Sequence, residues 1–314
     1  MISRRKLLIS ASSVAMGAFA VHTPAFAQDK VIRVGTLKLM HAITPHFYEK
    51  FAPAGYKFEV IAFETPTDGK NAVVTTSVAF GVFGIAAATL GAAAGEPVVV
   101  VGAQCNKGMA VVAGKDSAIT SIKGLKDKKV GILPGSTQEV VIYDRLKQEG
   151  MTAKDIQPVR LAFSEMATAL ERGDIDAYVG AEPGPSISMS RGIGKIIEYP
   201  YSTPTGTLNM VMCTHADIAK SDPAMVKIFM QVHRKATEYA VANRAAFVEM
   251  CEKKLGLPVK TAELAAPNIE LTWRIDDEWI TRAKYYGSQM LDKKQIRQLP
   301  DYASFINPSF SKVL

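Results

Sequence analysis

The sequence predicts an α/β protein of two similar lobes joined by a two-strand hinge. Two observations carry that expectation: a repeated β-α-β-α-β order, and a pair of further strands after each repeat. In the first unit, KVIRVGTL reads as a strand, and a helix-compatible stretch runs through HFYEKFA. KFEVIAFE is the second strand, a helix begins near Asp68-Gly69, and AFGVFGIAA is the third strand. In the second unit KKVGILPG, STQEVVIYDRLKQEG, IQPVRLAF, SEMATALERGD and IDAYVGAEP repeat the order. Gly35 and Gly131 mark matching first strands, Gly84 and Gly180 matching third strands, and both pairs stand 96 residues apart. Strands alternating with helices in this way build mainly parallel sheets.

Each unit is followed by a short strand and a longer one: EPVVVVGA with GMAVVAG, and GKIIEYP with TLNMVMCTH. MAVVAGKDSA is read as crossing into the second lobe and TGTLNMVMCT as crossing back, and two such crossings make a hinge. The expected organisation is a signal peptide over 1–27, the first part of lobe 1 over 28–112, lobe 2 over 113–207, and a return to lobe 1 with C-terminal helices over 208–314. In that last part Ser221-Asp222-Pro223 caps a helix with proline in its first turn. Val226, Phe229, Met230, His233, Ala236 and Ala240 then share one helical face, where His233 reads as a hydrogen-bonded core residue. Further helices are expected over about Arg244–Leu255 and from near Asp276, the latter carrying Trp279, Ala283, Tyr286 and Met290.

The N-terminus sets the compartment. A basic head (Arg4, Arg5, Lys6), an apolar run from Leu7 to Val21 and Ala-Phe-Ala before Gln28 make a secretory signal, with cleavage expected after Ala27. Ser3-Arg4-Arg5-Lys6-Leu7-Leu8 resembles a twin-arginine signal, and a Sec signal also carries such pairs. The protein is therefore expected in the periplasm. Cleavage removes three of the 37 basic residues and none of the 30 acidic ones, lowering the formal charge from +7 to +4. The remaining charges are interspersed, with no basic run between aromatics, so nucleic acid is not an expected partner.

Catalytic and metal motifs are missing from the sequence. Cys105, Cys213 and Cys251 rule out a disulfide framework; the one pair to consider is Cys105 with Cys213, because both sit beside the crossing segments. No H-x-C, C-x-x-C or H-E-x-x-H spacing offers a zinc site, and no G-x-S-x-G marks a hydrolase. His41 and His46 are read as loop surface or cleft lining rather than metal ligands. No cofactor is expected.

The turn Gly135-Ser136-Thr137 opens a helix whose first N–H groups and dipole suit a small anion. Ser136 and Glu139 also form an S-x-x-E capping box, which leaves the amides of Thr137 and Gln138 free. A nucleotide P-loop is excluded, because Gly135 is followed by serine where that motif needs lysine.

The stretch SIKGLKDKKVGILPGSTQEVVIYDRLKQEGMTAKDIQPVRL, followed by ATALERGDIDAYVGAEPGPS, resembles the substrate-binding proteins of bacterial ABC importers, type II periplasmic class, nitrate/sulfonate/taurine group. Gly173, Asp176 and Ala177 match that family's Gly-x-x-Asp-Ala element, with Asp176 read as structural. In the first lobe SVAFGVFG departs from the corresponding pattern. The resemblance implies two Rossmann-like lobes and no catalysis. It implies that a monomer captures one small molecule and delivers it to a permease and its ATPase at the inner membrane. The same scaffold also carries cofactor-biosynthesis lyases, and a ligand-presenting partner of a sensor kinase would use the same cleft.

Parallel α/β sheets bind ligands beyond the carboxyl ends of their strands. On the first lobe that selects Lys38, His41, Thr67, Asp68, Ile85 and Ala86; on the second it selects Gly135, Ser136, Thr137, Gln138 and Glu182, with Asn209 on the return crossing. The helix start favours an anionic group and Glu182 favours a cationic one, which together suit a zwitterion or a hydroxylated acid. Glu182 pairing with a surface arginine is the alternative. Tyr178 is expected to pack in the sheet.

Overall fold

The computed structural model describes residues 29–312, so the expected signal peptide lies outside the described residues. The first lobe begins with β1 (Lys30–Leu37), β2 (Tyr56–Phe63), α1 (Pro66–Val74), β3 (Phe80–Gly84), α2 (Ile85–Ala93) and β4 (Val98–Lys107). Between β1 and β2 the chain coils as 3-10 turns over Met40–Ala42 and Thr44–Phe51. The second lobe holds β5 (Met109–Gly114), β6 (Lys129–Ile132), α3 (Thr137–Gln148), β7 (Gln157–Arg160), α4 (Met166–Arg172), β8 (Ala177–Ala181), α5 (Gly184–Ser190) and β9 (Gly194–Glu198). The chain then returns through β10 (Leu208–His215), α6 (Ala216–Ser221), α7 (Pro223–Ala242), α8 (Arg244–Leu255), α9 (Val259–Ala265), β11 (Ile269–Leu271) and α10 (Asp277–Asp292).

Two sheets result, with strand orders β11-β4-β10-β3-β1-β2 and β7-β6-β8-β5-β9. The expected parallel triplets are present. β1 lies between β2 and β3, and β6 between β7 and β8, all parallel. The sheets are nevertheless mixed. β10 runs antiparallel to β3 and β4, and β5 runs antiparallel to β8 and β9. A strand arriving from the other lobe enters from the carboxyl side of its new sheet, so it runs against the resident triplet.

The chain changes sheet at Gly108, between β4 and β5, rather than after residue 112. Two consecutive residues with positive φ, Lys107 at 61° and Gly108 at 74°, turn it there. The return runs between β9 and β10, and the two crossings are tied by the Lys107 amide on the Thr207 carbonyl at 2.6 Å.

The C-terminal helices form as their caps dictate. Asp222 accepts from the Met225 amide at 3.0 Å with Pro223 in the first turn of α7, and Asp276 accepts from the Trp279 amide at 2.7 Å. His233 is satisfied in the core, bonding Tyr48 Oη and the Ala103 carbonyl, each at 2.8 Å. Asp176 accepts from the Lys129 amide at 2.8 Å, the structural role expected of it. Cys105 and Cys213 do not pair. They face Met210 and Val100 respectively, at different levels of the β4–β10 ladder, and both are free buried thiols.

Candidate functional site

Gly108 forms the floor between the lobes. Its missing Cβ would stand 3.2 Å from His41 Nδ1 and 3.6 Å from Asn209 Nδ2, so both side chains pack under the crossing. Asn209 Nδ2 donates to the Lys107 carbonyl at 2.6 Å. His41 is 1% exposed, its Nδ1 has no partner, and burial pulls its pKa down to about 3. It is a neutral imidazole beneath the hinge, not a loop-surface group.

On one side of this floor the start of α3 meets the first lobe. Ser136 accepts from the Glu139 amide at 3.2 Å, and Glu139 reaches back to the Gly135 amide at 2.7 Å. Glu139 also accepts from Gln295 Nε2 at 2.9 Å, and burial raises its pKa. Ser136, Thr137 and Gln138 are all buried. Thr137 Oγ1 donates to the Asn209 carbonyl at 3.3 Å and occupies the space where a Cβ on Gly84 would lie. A Cβ on Gly135 would lie 3.6 Å from Leu90 Cδ1 and 3.9 Å from Thr67 Oγ1. The glycine turn is therefore in contact with the other lobe.

Ile85 and Ala86 are fully buried in the hydrophobic core, and the residue that faces the second lobe is Gly84, just before them. Asp68 is engaged locally: it accepts from Thr65 Oγ1 at 2.7 Å while its amide bonds back to Thr65 at 3.2 Å.

On the other side the lobes stand apart across a cavity of about 430 Å³. Lys38, Leu39 and Glu64 line it from the first lobe; Phe163, Ala167, Pro183 and Ile187 are among its walls from the second. Lys254, Leu255 and Leu257, at the end of α8 and just beyond, close it from the C-terminal region. Lys38 pairs with Glu64 at the exposed edge. The walls are apolar and the rim is charged, an arrangement that receives an organic molecule with a polar end.

Glu182 lies between these regions. Its amide donates to the Gly108 carbonyl at 3.0 Å, and its neighbours Ala181 and Pro183 line the cavity. The side chain is 1% exposed, accepting from the Ser186 amide at 3.2 Å and from Asn268 Nδ2 at 3.3 Å. Burial raises its pKa. Asn268 is a junction: its Oδ1 accepts from Tyr201 Oη at 2.7 Å, and its carbonyl accepts from the Gly108 amide at 2.7 Å. Tyr178 packs in the sheet and bonds Ser188 at 2.8 Å.

Asn268, Tyr201, Phe163, Lys254 and Leu257 escaped sequence reasoning. Asn268 and Lys254 come from the C-terminal helices, far from either β-α repeat, and no motif marks them. Tyr201 had a faint signal, an aromatic-proline cluster (Tyr199-Pro200-Tyr201) directly before the return crossing. Among the described residues no group of three His, Cys, Asp or Glu side chains is placed to hold a metal ion.

Two α/β lobes closed on a cleft, with strands crossing in both directions, are the architecture of the two-lobed periplasmic binding proteins. The alkanesulfonate-binding protein SsuA of Xanthomonas axonopodis pv. citri, in its MOPS-bound structure, matches with a TM-score of 0.78 over 90% of this chain and 99% of that one, at 18% identity. The chain belongs to the NMT1/THI5-like family, whose model matches residues 47–246. It is 26% identical over 226 residues to the 4-amino-5-hydroxymethyl-2-methylpyrimidine phosphate synthase of Aspergillus parasiticus, covering 67% of this chain and 66% of that protein. It is 23% identical over 258 residues to a protein of Escherichia coli (strain K12) named for aliphatic sulfonate binding, covering 80% and 79%.

Proposed function

We propose that this protein is the substrate-binding component of an ABC importer, taking one small organic solute into the cavity between its lobes. The observation that carries this reading is the cavity itself. Its walls come from both lobes and the C-terminal helices, so a bound molecule bridges the lobes and favours the closed shape. The solute is anionic or zwitterionic: the walls suit an apolar body, and of the rim charges Lys38 is paired with Glu64, which leaves Lys254 without an ion-pair partner among the described residues. Residues 1–27 direct export, the mature chain acts as a periplasmic monomer, and the closed form is what the permease and its ATPase read.

The relative named as a synthase raises enzyme chemistry as a second reading. The buried groups in hand do not favour it. His41 is packed under Gly108, and burial pushes the Cys105 and Cys213 thiols up, away from the reactive thiolate.

Calorimetry and thermal shift with C2–C6 alkanesulfonates, their amino derivatives and carboxylate counterparts test the proposal. A ligand at one hundred times its dissociation constant adds about 2.7 kcal/mol of stability. Binding without turnover, with stimulation of the reconstituted permease's ATPase, is the expected result. Turnover of a bound solute, or a failure of every class to bind, would sink it.

A further inference from the structure

Glu182 is a buried carboxylate whose donors are both neutral: the Ser186 amide and Asn268 Nδ2. Neither carries a charge, and among the described residues no cation contributes to its charge state. Tyr201 is linked to it through Asn268, which accepts from Tyr201 Oη at 2.7 Å and donates to Glu182 at 3.3 Å, and the charge of Glu182 disfavours ionisation of Tyr178, Tyr199 and Tyr201. Tyr199 and Tyr201 stack with ring centroids 6.1 Å apart and an interplanar angle of 19°, and Tyr199 is 45% exposed. Ala181 and Pro183, on either side of Glu182, line the interlobe cavity.

A carboxylate held out of water without a counter-charge is unfavourable unless it is protonated or a cation is supplied from outside. A stacked aromatic pair nearby suits a cation as well, since the ring quadrupole attracts positive charge. The lysines sit elsewhere, at the cavity rim. Glu182 itself lies behind the second-lobe wall, between Ala181 and Pro183, so the two polarities are separated in space.

We propose that Glu182, with Tyr199 and Tyr201 nearby, receives a cationic group of the ligand, an ammonium or guanidinium, while the ligand's anionic end faces Lys38 and Lys254. This rests on the solute-binding reading and narrows it to cation-bearing organic acids. Glu182 is then a specificity residue: it separates a zwitterion from a plain anion of the same length.

The test compares 3-aminopropane-1-sulfonate with propane-1-sulfonate by calorimetry on the mature protein. The wild type is expected to bind the amino compound at least tenfold more tightly. Glu182→Gln keeps an acceptor for Asn268 but not the charge, and it should erase that preference by weakening the amino compound alone. Glu182→Asp should retain part of the preference. Equal binding of the two compounds by the wild type, or a preference that survives Glu182→Gln, overturns the proposal. If neither sulfonate binds, the sulfonate part of the functional reading fails, and butylammonium decides the cation site separately. It must raise the melting temperature of the wild type and not of Glu182→Gln; no shift in either overturns the site.

Discussion

On one side of the interlobe cleft the start of α3 presses against Gly84, leaving no space for even one more carbon. On the other, the residues at the start of α5 stand back from Lys38 and Leu39 across about 430 Å³. Both places follow the same plan, a strand end, a turn with glycine and a helix start. They differ in what the C-terminal segment does next. Beside α3, helix α10 and its following turn lock the lobes: Tyr285 Oη bonds Asp144 at 3.1 Å, Lys147 pairs with Asp292 at 3.0 Å, and Gln295 bonds Glu139 at 2.9 Å. Beside α5, the end of α8 reaches over a gap instead of filling it. A helix start at a sheet's carboxyl edge is thus an offer of a site. Whether it binds a ligand or the other lobe is decided by residues far along the chain: Lys254 is 70 positions from Gly184 at the start of α5, and Gln295 is 156 from Glu139 in α3.

The largest expected effect lies at the floor between the two sides. His41 is held near 3 by burial, below the value of about 6.5 it takes in the unfolded chain. Between those values the unfolded chain binds the extra proton, so the associated stability is present above about pH 6.5 and is lost as pH falls. The loss is roughly 1.4 kcal/mol per pH unit. Urea titrations of the wild type and His41→Gln isolate it from other groups. The wild-type advantage should fall by about 3 kcal/mol between pH 6.5 and 4. A difference independent of pH would show that His41 opens to the cleft, and the floor would belong to the ligand side.

Gly84→Ala tests the closed side. Its φ of −66° suits any residue, so the effect is steric: the new methyl meets Thr137 Oγ1. Overpacking of this kind costs about 1–3 kcal/mol. Here it falls on closure, so ligand affinity should drop roughly ten- to a hundredfold. Small-angle scattering should show that ligand no longer compacts the variant. Adding Thr137→Ala should restore most of the affinity. Unchanged affinity in the single variant would mean that the contact at α3 is not part of closing.

Much of this was legible in the sequence. The repeated strand order placed both parallel triplets, the caps at Asp222 and Asp276 placed their helices, and Ser136 with Glu139 placed the start of α3. These are local signals, written within a few residues of the structure they specify. The candidate site was legible only in part. Strand-end logic selected Lys38, His41, Glu182 and Asn209, of which Lys38 lines the cavity and His41 and Asn209 pack under Gly108; it could not tell which side chains face the gap. Ile85 and Ala86 turned into the core because the helix they open is buried on nearly every face, while Asn268 and Lys254 enter from helices with no local mark of a site. Lobe-to-lobe distance is a tertiary quantity, and only packing reveals it.

The smallest expected effect concerns the rim of the open side. Lys254 is exposed and has no ion-pair partner among the described residues, whereas Lys38 is already paired with Glu64. If the anionic end of the ligand lies at this rim, Lys254 attracts it through water, and such exposed attractions contribute up to about 1 kcal/mol. Lys254→Gln should then weaken propane-1-sulfonate by at most about fivefold at low salt. The difference should vanish near 1 M salt, where screening reaches about 3 Å. The apo melting temperature should not move, because no partner loses a bond. A much larger loss would mean that Lys254 is buried on the ligand when the lobes close, making it a principal anchor rather than a rim charge. No loss at low salt would place the anion elsewhere, and the ligand would have to lie across the cavity in another orientation, with only Glu182 left to fix one end.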